Sequence, residues 1–169
     1  MDGIIVRTAR IEDARGILEA RHSAVHETAA KDYPLEIRRS WSPPVTDKRI
    51  DQYRRDTLPN ETILVAEVHG AIAGFGVIVE SNYELRAVYV AAAFGGQGVG
   101  SALLRELERL AKEGGCSELR MDSSLTAAPF YKHHGYQETG RAEHALGSGA
   151  KMACVRMRKV LVRDELIRD

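Results

Sequence analysis

The sequence predicts a single α/β domain with a mixed, mainly antiparallel sheet of about seven strands flanked by helices. Its 169 residues are 44% apolar, which is enough for one hydrophobic core of ordinary size. Strand-like and helix-like patterns alternate along the chain, with hairpin signals in the middle and one β-α-β crossover later. We found no internal repeat and no low-complexity linker that would divide the chain.

The N-terminal part predicts one strand and three helical pieces. Residues 4–7 predict a short strand because the first three are apolar and β-branched, and apolar side chains then recur at helical spacing through residues 11–30. A second helix over residues 35–41 ends before Pro43 and Pro44, because proline disfavours a helix in the residue before it. A third, polar piece covers residues 46–57.

The middle of the chain predicts three consecutive strands. Residues 62–68 and 71–79 are joined by a turn at His69-Gly70. A turn at Ser81-Asn82 then leads into a strand that begins with Glu84 and ends at Val90.

The C-terminal part predicts the remaining elements of the sheet. A glycine-rich loop leads into a helix that Gly114-Gly115 caps. A strand over 116–122, a short helix over 126–134 and two strands over 136–141 and 152–161 follow.

The glycine-rich loop is the strongest functional signal. Residues 95–100 hold four glycines in six positions, between an apolar strand and a helix. Glycines leave successive backbone N–H groups uncovered, and the helix start adds the positive end of its dipole. The loop therefore predicts a phosphate-binding site.

Three other interpretations of the loop were weighed. A plain structural turn would not need four glycines, which cost backbone entropy. A dinucleotide site is favoured by Asp122, about twenty residues further on, but Ser101 stands where that fingerprint requires glycine or alanine. A P-loop is excluded because no Gly-Lys-Ser/Thr follows the turn.

Charge and composition exclude several partners. Lys and Arg together number 24, as do Asp and Glu, so no net field attracts nucleic acid or an anionic membrane. Apolar runs fall short of the ~20 residues that span a bilayer, and the first residues lack a signal-peptide pattern, which predicts a cytoplasmic protein. Cys116 and Cys154 are expected to be core residues, and His22 and His26 lack a third ligand, so no metal is predicted.

Two segments resemble the GNAT superfamily of acyl-CoA-dependent N-acyltransferases, over Thr62 to about Lys159. The family motif Gln/Arg-x-x-Gly-x-Gly/Ala corresponds to residues 95–100, with Gly95 at its first position. The motif Asn-x-x-Ala-x-x-Phe-Tyr-x-x-x-Gly-Phe corresponds to residues 124–136, with Ser124 in place of Asn.

The resemblance implies one domain over residues 1–169. Residues 1–61 would form the first strand and the acceptor-side helices, 62–122 the acyl-CoA-binding core, and 123–169 the last helix and strands. It also implies acetyl-CoA as acyl donor, with direct transfer to a primary amine of a small molecule or protein by a monomer or homodimer. The donor-binding residues that it implies are Val88, Tyr89, Val90, Gly95, Gly96, Gln97, Gly98, Val99, Gly100, Ser101, Ser124 and Tyr131.

Two residues are catalytic candidates. Tyr131 occupies the position of the family's tyrosine, and a phenol can give a proton to the departing thiolate. Glu84 is the candidate base, and strand alternation predicts that it shares a face with Arg86, Val88 and Val90. The structural alternatives are an aromatic that packs the short helix and a solvated carboxylate at a strand end.

The acceptor is expected to bind near the N-terminal helices. Tyr33 and Trp41 could form an apolar wall of the pocket or pack the second helix on the sheet. The loop over residues 142–150 could cover the acceptor or be an ordinary hairpin loop. A catalytically silent acyl-CoA-binding or interaction module of the same fold remains the alternative function.

Overall fold

The structure is a computed structural model that describes residues 3–161. A seven-stranded sheet carries helices on both faces, as predicted. The strands are β1 (Ile4–Thr8), β2 (Thr62–Val68), β3 (Ala71–Val79), β4 (Glu84–Val90), β5 (Glu118–Ser124), β6 (Gln137–Ala145) and β7 (Lys151–Val160). The α-helices are α1 (Ala14–His26), α2 (Leu35–Trp41), α3 (Asp47–Asp56), α4 (Val99–Glu113) and α5 (Ala128–His133).

The sheet order is β1-β2-β3-β4-β5-β7-β6, and one neighbouring pair, β4 and β5, is parallel. That pair is joined at a single register position, Glu84 opposite Arg120. From there the strands diverge, whereas every other neighbouring pair is aligned over several residues. A gap therefore opens in the middle of the sheet toward the end of β4.

One face of the sheet is covered by α4 and α5. The apolar side of α4 buries Leu103, Leu104 and Leu107 against β2, β3 and β4. A Cβ added at Gly76 would lie 2.5 Å from Leu107 Cδ1, so glycine in β3 lets the helix approach the sheet closely.

The other face is covered by α1, α2 and α3. Ile17 of α1 packs on Val65 and Phe75, while Val25 and Trp41 pack near β7. Thr46 begins α3 by accepting a hydrogen bond from the Arg49 N–H at 3.3 Å, which is an ordinary N-terminal cap.

Two predicted boundaries differ from the structure. The helix predicted over residues 11–30 is divided, because short 3₁₀ turns precede and follow α1. Strand β6 continues to Ala145, so the connection to β7 contains residues 146–150 rather than 142–150. The predicted domain limits at 1–2 and 162–169 lie outside the described residues.

The predicted face of Glu84 is wrong, because β4 contains a bulge. Strand β3 opposes Ile78 with Leu85 and Val77 with Ala87, which leaves Arg86 as an extra residue. The bulge reverses the alternation, so Val88 and Val90 pack on the α4 face. Glu84 instead shares the opposite face with Tyr89.

No helix among residues 3–161 is long and apolar enough to cross a lipid bilayer.

Candidate active site

The gap between β4 and β5 exposes hydrogen-bonding groups of the backbone. The Ala91 N–H donates a hydrogen bond to Ala73 O on β3 at 2.8 Å. Because successive N–H groups of a strand point to opposite sides, the N–H groups of Val88 and Val90 face the gap. An extended polyamide chain can pair with such an edge as an added strand does. The side chains of Val88 and Val90 are buried in the core, so what these residues offer to a ligand is backbone.

Tyr131 lies on α5 at the far wall of the same gap. Its side chain is 3% exposed, and its ring packs edge-on against Phe130 and Tyr136. Burial raises the pKa of Tyr131 well above its usual value, while the nearby backbone N–H of Val88 lowers the pKa by a smaller amount. The phenol therefore stays protonated at neutral pH, beside the open edge of β4.

The glycine loop presents backbone N–H groups at the start of α4. Within residues 3–161, the backbone N–H groups of residues 96–101 have no hydrogen-bond acceptor. The first N–H group that finds one is that of Ala102, which donates to Gly98 O at 3.0 Å. Gly96 and Gly98 have φ of +71° and +86°, a conformation that favours glycine. Nothing lies within 4 Å of a Cβ added at Gly96. The loop thus has the form of an anion-binding helix N-terminus.

The other loop residues predicted to bind the donor have different surroundings from Gly96 and Gly98. The Val99 side chain is buried in the core, and Gln97 Nε2 donates to Ala93 O at 3.4 Å. Ser101 Oγ lies 3.0 Å from His134 Nε2, which joins the first turn of α4 to the end of α5. Gly95 has φ −63° and ψ 145°, an extended conformation open to any residue.

Ser124 ends β5 and shapes the turn into α5. Its Oγ accepts a hydrogen bond from the Ala127 N–H at 3.1 Å. That bond holds the start of the helix that carries Tyr131, so Ser124 has a structural role next to the gap. Binding of the donor by Ser124 stays a prediction.

Glu84 lies at the narrow end of the gap, where β4 and β5 meet. Its Oε2 accepts a hydrogen bond from Asn82 Nδ2 at 3.3 Å. With the bulge at Arg86, Glu84 and Val88 lie opposite Val79 and Gly76, which are three residues apart on β3, or about 10 Å at the usual rise. The carboxylate therefore lies at the edge of the site, away from Tyr131.

A cavity of about 680 Å³ joins the gap to the acceptor-side helices. Its walls include Phe75 and Tyr89, whose rings stack at 5.3 Å, and Trp41, whose Nε1 donates to Tyr89 Oη at 2.9 Å. Tyr131 and Glu84 line the same cavity. The predicted wall residues therefore separate: Trp41 lines the cavity, and Tyr33 packs against β7, where its hydroxyl donates to Ala153 O.

The sequence alone did not predict several charged and polar residues in the cavity wall. They are Arg21, Arg49, Tyr53, Glu61, Arg86 and His144. These residues come from α1, α3, the segment before β2, β4 and β6, so no local motif contains them. The one available signal was arginine in helices that otherwise predict an apolar packing face.

His144 and Cys154 line the cavity, whereas the other described histidine and cysteine residues do not. His22 and His26 pack with ring centroids 4.2 Å apart, and His26 Nε2 lies 2.8 Å from Ser42 O. Within residues 3–161, no three His, Cys, Asp or Glu side chains lie together as metal ligands could. Cys116 and Cys154 are free and buried, as predicted, and burial raises the pKa of both thiols.

The comparisons with known proteins agree on one family. The family model described as "Acetyltransferase (GNAT) domain" matches residues 59–138, which include the glycine loop and Tyr131. The N-acetyltransferase YafP of Escherichia coli (strain K12), itself uncharacterized, is 28% identical over 138 residues, which is 81% of this chain and 83% of YafP.

Solved structures give the same result. A GCN5-related N-acetyltransferase from Rhodopseudomonas palustris is 27% identical, with a TM-score of 0.85 over 95% of this chain and 98% of that one. YncA of Salmonella typhimurium, solved with its cofactor acetyl-CoA, shares the fold at 24% identity, with a TM-score of 0.67 over 97% of both chains. The sheet, its central gap, the glycine loop and these matches lead to one conclusion: residues 59–138 resemble the GNAT acetyltransferase domain in sequence, and the described chain has the fold of the GNAT acetyltransferases.

Proposed function

We propose that the protein transfers an acetyl group from acetyl-CoA directly to a primary amine. The observation that carries the proposal is the position of Tyr131, whose protonated phenol meets the Val88 N–H in the gap between β4 and β5. One gap thus holds backbone N–H groups of β4 that face away from β3 and a phenol that can donate a proton, and the loop over residues 96–101 lies at the start of the following helix.

The residues at the gap fit coenzyme A in two parts. The uncovered N–H groups of residues 96–101 would hold the pyrophosphate, helped by the dipole of α4. The backbone of Val88 and Val90 would pair with the amides of the pantetheine arm. Because Gly95 carries no side chain, binding of the phosphates would depend on backbone groups alone.

The chemistry assigns one task to each group. A neutral amine forms a bond from nitrogen to the thioester carbonyl carbon, and the carbon–sulfur bond breaks. Tyr131 gives its proton to the departing thiolate, while backbone N–H groups at the gap polarise the carbonyl oxygen. The proton released from the amine passes to a neighbouring water molecule, and the tyrosinate then regains a proton from water.

Glu84 would take the amine proton through water rather than directly. Its place at the narrow end of the gap, about 10 Å along the sheet from Val88, leaves room for intervening water. The proposal further includes action in the cytoplasm as a monomer or homodimer.

Replacement of Tyr131 tests the proposed acid. Tyr131→Phe keeps the buried ring and removes the hydroxyl, so kcat should fall about 10²-fold with little change in the KM for acetyl-CoA. Thiol release from acetyl-CoA in the presence of an amine panel measures both constants. Because burial raises the pKa of Tyr131 above 10, activity should rise with amine deprotonation and show no descending limb below about pH 10.

Tyr136→Phe is the matched control. Tyr136 is also buried beside Tyr131, but its hydroxyl donates to Glu108 Oε1 at 3.0 Å, away from the cavity. The control should therefore keep its kcat. Coenzyme A binding without thiol release across the whole panel would support the silent module instead, and equal activity of Tyr131→Phe and wild type would remove Tyr131 as the acid.

A further inference from the structure

Two arginines on the acceptor side of the cavity have no acidic partner. Arg21 of α1 and Arg49 of α3 both line the cavity, and both side chains are half-buried. Among residues 3–161, neither side chain pairs with a carboxylate; their hydrogen bonds go to backbone carbonyls. Two positive charges therefore lie close together, and neither has a direct carboxylate partner among these residues.

The carbonyls fix the direction of both guanidinium groups. Arg21 Nη2 donates to Trp41 O at 2.7 Å, and Arg49 Nη1 donates to Pro43 O at 2.6 Å and Pro44 O at 3.0 Å. Arg21 Nε is buried and has no partner among the described residues. A buried donor without an acceptor costs free energy that a bound ligand would recover.

The pKa of Arg49 reflects how close the two arginine side chains are. Burial lowers the pKa of Arg49, and the nearby charge of Arg21 lowers it further. Both effects mean that the site favours an added negative charge. An anion within reach of two guanidinium groups could accept several charge-assisted hydrogen bonds.

Among residues 3–161, the third arginine of the cavity wall, Arg86, and the carboxylates of Asp56, Glu61 and Asp122 have ion-pair partners, whereas Glu84 has none. Arg86 Nη1 pairs with Glu61 Oε1 at 2.7 Å, and Asp122 Oδ1 lies 3.7 Å from Arg156 Nε. These pairs leave Arg21 and Arg49 as the cations that lack a counter-charge in this wall. The ligand is thus expected to supply it.

The arginine pair lies beside the point of acyl transfer. The guanidinium carbon of Arg21 is 5.9 Å from the centroid of the Tyr89 ring. Tyr89 follows Val88, whose N–H meets the Tyr131 phenol. An anion held by Arg21 would therefore belong to the acceptor molecule, with its amine directed at the gap.

We propose that the acceptor is a small amine that carries a carboxylate, as a free amino acid does, and that Arg21 and Arg49 bind this carboxylate. This inference rests on the proposed acetyl transfer and names its substrate class. The stacked rings of Phe75 and Tyr89 and the ring of Trp41 would contact the rest of the acceptor. The walls contributed by several helices and strands favour a small molecule over a protein side chain.

The test compares amines that differ in the carboxylate alone. The probes are the common L-amino acids, β-alanine and γ-aminobutyrate, each beside its carboxamide and its decarboxylated amine. At least one acid should exceed both neutral counterparts in kcat/KM by about tenfold or more. Since a carboxamide lowers the pKa of the neighbouring amine, intrinsic reactivity favours the amide, and a preference for the acid must come from the protein.

Substitution of the arginines should remove that preference. Arg21→Gln and Arg49→Gln should each lower kcat/KM for the preferred acid about tenfold or more, while the KM for acetyl-CoA stays the same. Arg55→Gln is the matched control, since Arg55 is an exposed arginine on α3 that pairs with Asp56 at 3.8 Å. If the glutamine variants do not fold, Arg21→Lys and Arg49→Lys keep the charge and should keep part of the preference.

Equal or better turnover of the neutral amines would overturn the inference while leaving acetyl transfer intact. A preference for phosphate-bearing amines, such as phosphoethanolamine, over every carboxylate would overturn it as well. If no probe releases thiol, binding of the same carboxylates is measured by NMR on the protein saturated with coenzyme A. Binding that Arg21→Gln abolishes would support the arginine site and contradict the proposed reaction, whereas no binding would overturn both.

Discussion

Gly95 is the residue at which this chain departs from the GNAT motif that its glycine loop resembles. Its extended backbone accepts any side chain, and an added Cβ would meet Ala92 O at 3.3 Å, which requires a small adjustment. The position therefore permits the glutamine or arginine of that motif. Without such a side chain, the proposed binding of the pyrophosphate depends on backbone dipoles.

Gly95→Arg should tighten binding of acetyl-CoA. A guanidinium group next to the uncovered N–H groups of residues 96–101 would add charge-assisted hydrogen bonds to the phosphates, so we expect the Kd to fall about tenfold. Isothermal titration with coenzyme A at low and high salt measures the change, which salt should reduce. Gly95→Ala controls for the Cβ, and equal affinity of the alanine and arginine variants would contradict a phosphate site at this loop.

The loop and α4 form an element in which neighbouring glycines serve different purposes. At Gly96 the space around a Cβ is open, whereas at Gly100 a Cβ would meet Phe130 Cε2 and Cζ at 3.3 Å and Val90 Cγ2 at 3.5 Å. Phe130 precedes Tyr131 on α5. Gly100 therefore permits the close contact that positions the proposed acid.

Substitutions at these two glycines should separate binding from packing. Gly96→Ala places a methyl group in the space for phosphate and should weaken coenzyme A binding, at a backbone cost of about 1–2 kcal/mol from its positive φ. Gly100→Val should displace Phe130, lowering both stability and kcat. Urea denaturation measures the loss of stability in each variant, and calorimetric titration measures the loss of coenzyme A affinity. If the two variants show the same ratio of lost affinity to lost stability, the loop is a structural turn.

The elements were largely predictable, but the faces of β4 were not. Apolar periodicity and turn residues located the strands and helices because those signals are local. The extra residue at Arg86 reverses the alternation of β4 through its pairing with β3, which a single strand does not reveal. For the same reason the sequence indicated Tyr131 by motif, whereas Arg21 and Arg49 meet through tertiary packing alone.

At the scale of the whole molecule, one buried ion pair joins the first strand to the helices. Arg7 of β1 donates to both carboxylate oxygens of Asp13, at 2.7 and 2.9 Å, and to Glu67 of β2 at 3.2 Å. Asp13 also accepts from the Arg10 N–H at 2.7 Å, and its side chain is 9% exposed. Its hydrogen bonds with Arg7 hold the pKa of Asp13 below its usual value.

Asp13→Asn should destabilise the fold in a pH-dependent manner. The pKa of Asp13 is lower in the folded state than in the unfolded state. The ionised carboxylate therefore stabilises the fold fully at pH values above its unfolded-state pKa of about 4, and this stabilisation is lost as the pH falls through its folded-state pKa. We expect a loss of about 2 kcal/mol at pH 7 that shrinks below about pH 4. Urea denaturation from pH 7 to pH 3 measures this loss of stability. Asp47→Asn is the control, because Asp47 forms an exposed pair with Arg15. A loss of stability that stays constant with pH in Asp13→Asn would contradict this account.

The proposed binding of acetyl-CoA in the gap between β4 and β5 would link the folding equilibrium to this ligand. A ligand that completes the hydrogen bonding of β4 binds the native chain and not the unfolded one, so thermodynamic linkage adds its binding free energy to the stability of the fold. At a donor concentration one hundred times its Kd, that addition is about 2.7 kcal/mol. The melting temperature would then rise with the concentration of acyl-CoA. The stability of the incomplete sheet would therefore depend on the supply of the ligand that completes it.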